Sequence, residues 1–558
     1  MTATVDELIA RHRPTLDAAL GAIRSREYYT RFPENAKAYP AEAKEQAQAA
    51  FEARRGTTWS LGEAGADGTT VGGEISPYGF ELGIGYEHVD PDVLLPAMQA
   101  ALPAWRDTGG EARAAVCIEI LDRLNARSFE VALTAMHTTG QAYMMAFQAA
   151  GPNAQDRGLE AVAYGYSALN AHPDKAVWEK PSGRGEPTRL AKKWIAAPRG
   201  VALVVGCNTF PTWNGYPGLF ASLVTGNAVL VKPHPFAVAP LALTVEIARE
   251  VLAEAGFPPD LVALAPEAKD EGLAKTLALR PEVRIIDFTG SNEFGDWLEA
   301  NARQAQVYTE KAGINTIIVD SFREDEYKAA LGHLAFSLSL YTAQMCTTPQ
   351  NILVPRTGIR VGDELKSPDD FAADLAGAVE KLLGDDARAT AILGAVVNPF
   401  ILERLDRAAN VGKTVLATRT VTHPEFPDAT VRTPLIAAVD ATDADVYTHE
   451  WFGPISFIIS TDSTQDSINV YRDSVKAHGA LTAAVYSTSE DVIAAAEEAT
   501  WDAGANLSIN LVGPIYVNQS AAFSDYHGTG ANPAANATYA DHAFVAGRFR
   551  FIQSRRPA

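Results

Sequence analysis

The sequence predicts an α/β protein organised around parallel β-sheets, and three observations lead to this fold class. Short apolar segments of strand length, such as 201–205 and 228–231, alternate with amphipathic helical patterns, such as 240–255. This alternation is the order that a parallel sheet with crossover helices requires. A second alternating region follows residue 310. The 558 residues also exceed one simple hydrophobic core, so the chain is expected to divide into about two to four domains or lobes.

The region before the first predicted sheet is expected to be an N-terminal extension over residues 1–90. Apolar residues from Leu8 to Ile23 recur at helical spacing, whereas 62–85 is Gly-rich and typical of turns. Helical patterns then dominate residues 93–169.

The remaining sequence is predicted to form two domains and a closing segment, over 91–310, 311–510 and 511–558. The predicted strands are 201–205, 228–231, 261–264 and 283–288 in the first domain, 316–319 and 351–354 in the second, and 515–517 and 548–552 in the closing segment. A loop is predicted over 207–217, followed by a short helix over 218–224.

Amino-acid composition narrows the class of protein. Hydrophobic residues make up 47% of the chain and charged residues 21%, which is ordinary for a globular protein in water. A net charge of −21 repels nucleic acid and anionic membranes, so neither is expected as a partner. The N-terminus is acidic where a signal peptide is basic, and no apolar run reaches the ~18 residues of a membrane span. A cytoplasmic location is therefore predicted.

The cysteine content predicts a reactive thiol and a reducing compartment. The chain has only three cysteines, Cys117, Cys207 and Cys346, and they are widely spaced, which argues against a disulfide framework. No group of His and Cys has the spacing of zinc ligands, so no metal site is predicted. Cys117 lies on an apolar helical stripe and is expected in the core. Cys346 lies between a predicted helix and strand, where catalytic groups are often presented.

Four sequence blocks together indicate oxidation of an aldehyde through a thioester. A thiolate at Cys346 can attack the aldehyde carbon, and the amide of Asn208, at the end of a predicted strand, can donate to the resulting oxyanion. Glu310 can activate the water that hydrolyses the thioester. Glu450, in the block Glu450-Trp-Phe-Gly-Pro454, is placed to accept hydrogen bonds from a ribose diol.

Two further blocks are candidates for binding a dinucleotide. Lys232 ends a predicted strand, a position that suits a ribose or a phosphate. Gly290 and Ser291, in Phe288-Thr-Gly-Ser291, form a tight turn before a predicted helix, whose free N–H groups can receive a pyrophosphate. The sequence contains neither GxGxxG nor a Walker A motif, so other nucleotide-binding classes lose support.

These blocks, in this order and at this spacing, resemble the aldehyde dehydrogenase superfamily. The blocks that carry the resemblance are Asn208-Thr-Phe-Pro211, Thr225-Gly-Asn227 with Lys232-Pro233, Phe288-Thr-Gly-Ser291, Glu310, Gln344-Met-Cys346 and Glu450-Trp-Phe-Gly-Pro454. The resemblance implies two Rossmann-like parallel-sheet domains and a small β arm that bridges subunits in a homodimer or homotetramer. It also implies that Cys346 is the nucleophile, Asn208 the oxyanion donor and Glu310 the general base, and that Lys232, Ser291, Glu450 and Phe452 bind the cofactor.

One departure from the family pattern predicts the choice of cofactor. The family's usual Lys-Pro-Ser-Glu ends in a carboxylate that holds the adenine ribose diol, whereas this chain has Lys232-Pro-His-Pro235. Without that carboxylate a 2′-phosphate meets less repulsion, and Lys232 and His234 are available to contact it. NADP is therefore favoured over NAD. The Gly-rich turn that the family has after Leu264 is also replaced, by Ala265-Pro-Glu-Ala-Lys-Asp-Glu-Gly272.

The long N-terminal extension and the segment Cys346-Thr-Thr-Pro-Gln350 are most similar to the PaaN-type aldehyde dehydrogenases linked to phenylacetic acid degradation. That branch implies a semialdehyde substrate formed after a CoA-activated ring is opened. Two alternatives stay open. A CoA-acylating dehydrogenase would release the thioester to CoA, although Glu310 then has no water to activate. A silent scaffold or binding protein would keep the fold without turnover. Trp213, Tyr216 and Phe452 predict an apolar part in the substrate.

Overall fold

The computed structural model describes residues 4–183 and 185–558, and the first three residues of the predicted N-terminal extension lie outside this range. Its α-helices are Val5–Ser25, Ala43–Arg54, Pro91–Asp107, Gly110–Ala126, Ser128–Thr139, Tyr143–Met145, Ala154–Leu169, Pro211–Val224, Ala239–Glu254, Leu273–Ala278, Asn292–Asn301, Glu324–Ser339, Pro368–Leu383, Asp386–Leu393, Phe400–Ala408, Ala444–Tyr447, Thr464–His478, Glu490–Ala503 and His542–Ala546. A π-helical segment spans Ala146–Asn153, and short 3₁₀ turns span Ala36–Ala38, Pro259–Leu261 and Leu340–Ala343.

A five-stranded parallel sheet forms the first of two α/β units. Its strands lie in the order Val262–Leu264, Ala228–Lys232, Val201–Val205, Val283–Thr289 and Gln306–Glu310. The order reverses at the central strand, and ligands of such sheets bind outside the carboxyl ends of the strands at this switch point. Lys232, Thr289 and Glu310 each end a strand, so they share that edge.

A seven-stranded sheet forms the second α/β unit. Its strands lie in the order Lys413–Leu416, Leu435–Asp440, Ile455–Thr461, Asn351–Pro355, Thr316–Val319, Thr482–Tyr486 and Asn506–Ile509. All neighbours pair in parallel except the first two, which are antiparallel. The central strands are almost wholly buried, because helices cover both faces of a parallel sheet. The two predicted parallel-sheet units are thus confirmed.

The N-terminal extension packs onto the first unit through buried polar groups. It contains two helices and short strands at Thr58–Trp59, Ala66–Gly72, Ile75–Ser76, Phe80–Glu81 and Gly85–Val89. The buried Glu74 carboxylate accepts hydrogen bonds from the backbone N–H groups of Val238 and Ala239 at 2.6 and 3.2 Å. Glu63 accepts one from Leu264. These carboxylates satisfy backbone donors at a helix start and a strand end that water cannot reach.

A three-stranded antiparallel sheet draws on two distant parts of the chain. Its strands are Lys175–Lys180, Thr188–Pro198 and Phe549–Pro557, with the long central strand between the other two. Five apolar side chains of this sheet are 37–59% exposed. Val177, Ile195 and Ile552 share one face, and Trp178 and Phe551 lie on the other. The closing segment therefore forms this sheet together with residues that the sequence assigned to the first domain.

Small strands complete the second unit: Ser321–Phe322, Ile359–Val361 and Glu364–Lys366 form one sheet, and Thr420–Val421 pairs with Val431–Arg432.

Three local predictions were wrong. The predicted loop over 207–217 is short, because a helix already begins at Pro211, which needs no N–H at a helix start. The Gly-rich stretch 62–85 contains paired short strands. No strand forms at 515–517, where the chain makes turns.

Among the described residues, no helix combines the length and the apolar character needed to cross a membrane.

Candidate active site

The loop that carries Cys346 begins with a left-handed turn. Tyr341, Thr342 and Ala343 have φ angles of 56°, 52° and 51°, a conformation that costs roughly 1–2 kcal/mol for each residue with a side chain. Buried hydrogen bonds hold the turn in place. The Tyr341 hydroxyl donates to the carbonyl of Thr139, and Thr342 Oγ1 donates to the carbonyl of Leu393 at 2.9 Å. The strained backbone thus fixes the approach to Cys346.

Gln344 and Asn315 fix the two sides of the same loop. Gln344 Nε2 donates to the carbonyl of Ala395 at 2.9 Å, and its Oε1 accepts from the N–H of Val397 at 2.9 Å. Asn315 Nδ2 donates to the carbonyl of Cys346 at 2.7 Å. Because the side-chain amides of Gln344 and Asn315 are both hydrogen-bonded to backbone groups, they hold in place the backbone from which the half-buried Cys346 side chain extends.

Cys346, Glu310 and His527 form one buried cluster. His527 Nε2 lies 3.0 Å from Glu310 Oε1 and 3.8 Å from Cys346 Sγ. Glu310 Oε2 accepts a hydrogen bond from Asn214 Nδ2 at 2.8 Å. The ligand-type atoms of the three residues lie within 4.8 Å of one another, close enough for a metal ion to bridge them as well.

The Cys346 thiol is held in its protonated form. Burial first, and then the adjacent Glu310 carboxylate, raise the pKa of Cys346 well above its ordinary value. Cys207 is also buried, and burial raises the pKa of its thiol to about 11. Both effects have the same cause, since a thiolate loses solvation in an apolar site. Cys346 therefore needs a proton acceptor before it can attack a carbonyl.

Asn208 offers an amide with no protein partner. Its Nδ2 atom is buried and makes no hydrogen bond to any described residue, which is unusual because buried donors are nearly always paired. The loop that carries Asn208 packs against residues 340–346, called the nucleophile loop because they carry the predicted nucleophile Cys346, with Phe210 edge-on to Tyr341 at 5.4 Å between ring centroids. An unpartnered donor on a loop that packs against the Cys346 loop fits a substrate oxygen.

Glu450 and Phe452 line a small, partly open pocket that reaches the loop before Cys346 at Met345. Burial raises the pKa of Glu450 to about 8, and the charge of Arg404 partly opposes that rise. Arg404 also fixes the Phe452 backbone by donating to its carbonyl at 3.0 Å. The structure therefore places Glu450 and Phe452, the two residues predicted to bind the cofactor, next to the nucleophile loop.

Lys232 meets a carboxylate that the sequence did not indicate. Its ammonium forms an ion pair with Glu267, and both side chains are about nine-tenths buried. The second Glu267 oxygen accepts from the N–H of Leu273 at 2.9 Å. The strands that end at Lys232 and Leu264 are parallel neighbours, so the Lys–Glu pair lies at the carboxyl edge of the five-stranded sheet, the edge at which open α/β sheets bind their ligands.

His234 does not add positive charge at this edge. Burial, and then the nearby charge of Lys232, lower the pKa of His234 to about 4, so the ring is neutral at pH 7. Its Nδ1 accepts a hydrogen bond from the N–H of Phe236 at 3.2 Å. A neutral imidazole is a weak partner for a 2′-phosphate.

Gly290 and Ser291 directly follow the strand Val283–Thr289, as predicted. Ser291 is the N-cap of Asn292–Asn301, and its hydroxyl accepts from the N–H of Phe294 at 3.4 Å. The Gly290 N–H donates to the carbonyl of Glu310 at 3.1 Å. The turn is thereby joined to the strand end that carries Glu310.

Three residues of the site were missed in the sequence. His527 and Asn214 contact Glu310, and Glu267 contacts Lys232. His527 is 181 positions from Cys346, and its only local signal is a Gly-rich turn. Tyr216, predicted near the substrate, is fully buried and hydrogen-bonds to Thr244 instead.

Comparison with known proteins agrees with this geometry. The model of the aldehyde dehydrogenase family matches residues 87–545. An N-succinylglutamate 5-semialdehyde dehydrogenase of Chromobacterium violaceum is 28% identical over 394 residues, which is 68% of this chain and 74% of that protein. A vanillin dehydrogenase of Pseudomonas fluorescens is 25% identical, over 71% of this chain and 77% of that protein.

Solved structures show the same fold. The crystal structure of an NAD-dependent aldehyde dehydrogenase from Burkholderia multivorans superposes with a TM-score of 0.97 at 54% identity, and all of both chains is covered. A 1-pyrroline-5-carboxylate dehydrogenase from Thermus with bound NAD has a TM-score of 0.74 at 19% identity, over 95% of this chain and 99% of that one.

Proposed function

Because the chain is an enzyme of the aldehyde dehydrogenase family, we propose that it oxidises a semialdehyde to a carboxylic acid through a thioester on Cys346. The observation that carries the proposal is the nucleophile loop itself. It presents a half-buried thiol beside the buried Glu310 carboxylate and against the loop that carries the unpartnered Asn208 amide. Nucleophile, base and oxyanion donor are the groups that such a reaction needs.

Each side chain has a defined task in the first half of the reaction. The Cys346 thiol releases its proton to solvent, its sulfur attacks the aldehyde carbon, a C–S bond forms, and the carbonyl electron pair moves to the oxygen. The Asn208 amide donates to that oxyanion, an interaction worth roughly 3–4 kcal/mol in comparable sites. A bound nicotinamide supplies the acceptor for the hydride, which leaves as the C=O bond re-forms.

Glu310 acts in the second half. Its carboxylate takes a proton from water as the water attacks the thioester carbon, and the C–S bond then breaks to release the acid. Asn214 holds one carboxylate oxygen at 2.8 Å, which orients the other toward the thiol side of the site. A carboxylate beside the thiol favours hydrolysis over transfer of the acyl group to CoA, since CoA needs no activated water.

We propose that residues 91–310 bind the dinucleotide and that 311–510 supply the nucleophile. Lys232, Gly290 and Ser291 lie at one edge of the first sheet, and Glu450 and Phe452 line the pocket next to the nucleophile loop. These residues fit a dinucleotide that extends from the strand ends to the thiol.

The cofactor we propose is NAD. The preference for NADP assumed that no carboxylate meets the adenine ribose, but Glu267 brings one to Lys232 from the neighbouring strand. A carboxylate there accepts hydrogen bonds from a ribose diol and repels a 2′-phosphate. The relative from Burkholderia multivorans is described as NAD-dependent, which supports the same choice. The preference for NADP stays an untested prediction that Glu267 opposes.

The substrate we propose is a semialdehyde of phenylacetate-type aromatic catabolism. Relatives named for N-succinylglutamate 5-semialdehyde and vanillin support an aldehyde with a further functional group. Phe210, Trp213 and Met345 pack around the nucleophile loop, which supports an apolar part in the substrate. The proposed substrate includes a CoA-linked form of the semialdehyde. We also propose that the protein is cytoplasmic.

We also propose that the three-stranded arm joins subunits of a homodimer or homotetramer. Ile195 and Ile552 are cross-strand partners that are 44% and 59% exposed. Exposed apolar side chains that are neighbours on one face of a sheet are typical of a covered surface.

The experiment that tests the function follows formation of reduced nicotinamide with a panel of aldehydes and semialdehydes, each with NAD or NADP, and with or without CoA. Turnover without CoA, and its complete loss in Cys346→Ala with NAD binding retained, is expected. Cys207→Ala is the matched control and should remain active. Turnover only with CoA would support the acylating enzyme, and NAD binding without any turnover would support the scaffold. Normal turnover by Cys346→Ala would refute the proposal.

A further inference from the structure

Cys346, Glu310 and His527 together offer three ligand types that a zinc ion binds in proteins: a thiolate sulfur, a carboxylate oxygen and an imidazole nitrogen. Among the residues that the structure describes, no other group of three such side chains lies this close together. His527 is 5% exposed, and the preceding mechanism gives it no task. It lies 181 positions from Cys346 and 217 from Glu310, so no local spacing in the sequence indicates the group.

The separations of the three ligand atoms are close to those around a tetrahedral zinc ion. Zinc holds sulfur at about 2.3 Å and nitrogen or oxygen at roughly 2.0–2.2 Å, so neighbouring ligand atoms lie roughly 3.3–3.6 Å apart. In the structure, His527 Nε2 lies 3.0 Å from Glu310 Oε1 and 3.8 Å from Cys346 Sγ. No two of the three atoms are more than 4.8 Å apart. Rotation about the Cα–Cβ bond of Cys346 adjusts the position of Sγ, and a water molecule completes the tetrahedron.

Further contacts orient two of the three ligands. Asn214 Nδ2 donates to Glu310 Oε2 at 2.8 Å, which leaves Oε1 on the side of His527. Ser520 Oγ lies 3.4 Å from His527 Nδ1, and the Trp213 ring meets the imidazole edge-on at 4.6 Å. Histidines that bind a metal through one ring nitrogen usually contact a polar partner through the other, and that contact orients the ring. The ligands are therefore held near their binding positions, which lowers the entropy cost of capturing an ion.

The charges of the cluster favour a divalent cation. Glu310 is 2% exposed, so its carboxylate is largely removed from water, where an uncompensated charge is costly. A zinc ion bound by a thiolate, a carboxylate and a neutral imidazole forms a complex with no net charge. Mg²⁺ and Ca²⁺ prefer about six or more oxygen ligands, whereas this site supplies sulfur and nitrogen. The ligand set thus selects zinc over these two hard cations.

We propose that Cys346, Glu310 and His527 bind one zinc ion that reversibly inhibits the enzyme, an inference that rests on the proposed function. As the bond between sulfur and zinc forms, the thiol proton leaves to solvent. The proton on His527 Nε2, which faces Glu310, is given up to solvent, and Nδ1, which faces Ser520, takes one up. The metal then holds the sulfur electron pair that would attack an aldehyde, and it occupies the Glu310 oxygen next to the thiol. Both halves of the reaction stop until a chelator removes the zinc.

The test uses the full-length enzyme, without a histidine tag and stripped of metals with EDTA, and measures the zinc bound per chain by elemental analysis after gel filtration. Alkylation of Cys346 by iodoacetamide at one fixed pH, located by mass spectrometry, gives a second readout. A slight molar excess of zinc should leave one zinc per chain, block the alkylation and stop aldehyde oxidation, and EDTA should reverse all three effects. Magnesium at the same concentration should cause none of them. His527→Gln should weaken zinc binding by more than about 10²-fold, because it removes a ligand and not only an outer contact.

His542→Gln and Cys207→Ala are the matched controls, since each changes a residue of the same type outside the cluster, and both should bind zinc as the unaltered enzyme does. The inference would be overturned if the unaltered enzyme bound no zinc, if bound zinc left alkylation of Cys346 or aldehyde oxidation unchanged, or if His527→Gln bound zinc equally well. The unaltered enzyme alone decides the matter if His527→Gln misfolds. Zinc binding and alkylation are measured without turnover, so their failure leaves the proposed function standing. Normal turnover by Cys346→Ala would show instead that the proposed function had failed.

Discussion

Replacing Glu267 by Gln should change which dinucleotide the enzyme prefers. Glutamine keeps the shape and can still accept from the N–H of Leu273, but it removes the negative charge beside Lys232. Two unit charges about 5 Å apart interact by about 3 kcal/mol at an effective dielectric constant of about 20. Loss of this repulsion corresponds to roughly 10²-fold. Lys232, freed from its ion pair, adds attraction for a 2′-phosphate.

The assay compares kcat/KM for NAD and for NADP with one aldehyde at saturation. In Glu267→Gln, the ratio of the two kcat/KM values should shift toward NADP by about 10²-fold. Most of this shift should come from a higher KM for NAD and a lower KM for NADP. Asp260→Asn is the matched control. Asp260 precedes the strand Val262–Leu264, whereas Glu267 follows it, and Asp260 forms an ion pair with Arg249. An unchanged ratio in a folded Glu267→Gln enzyme would show that Glu267 does not face the ribose.

Three other outcomes are expected. Glu310→Gln should keep a burst of one reduced cofactor per site and lose about 10²–10⁴-fold in steady-state rate; loss of the burst in rapid-mixing absorbance would place Glu310 earlier in the reaction. Folding raises the pKa of Glu450 from 4.5 to about 8, so as the pH rises between these values the unfolded chain loses its proton first and the folded protein becomes less stable. The melting temperature of Glu450→Gln should therefore drop less from pH 5 to pH 8 than that of the unaltered protein. An equal drop in both proteins would contradict this prediction. Ile552→Lys, but not Gln553→Lys, should reduce the molar mass in sedimentation to that of a smaller assembly, and an unchanged mass would exclude this face as the contact.

The strands were predictable because their signals are local, and the prediction that Cys346 is the nucleophile also rests on local signals. An apolar run such as Val201–Val205 is buried on both faces of a parallel sheet and needs no partner to be identified. Ser291 has the residue type and position of an N-cap, and the structure uses it as one. The start of the helix at Pro211 was missed because an early Pro favours a helix start as readily as a loop.

The sequence by itself determined the fold class and the chemistry that Cys346 predicts, because residue type and order along the chain carry that information. Only the tertiary structure decided what surrounds the reactive groups. His527 reaches Glu310 across 217 positions, and Glu267 reaches Lys232 across 35. Sheet order and chain crossings create these contacts, and no local pattern encodes them. The carboxylate of Glu310 next to the Cys346 thiol and the carboxylate of Glu267 next to Lys232 are therefore placed by the folding of the chain.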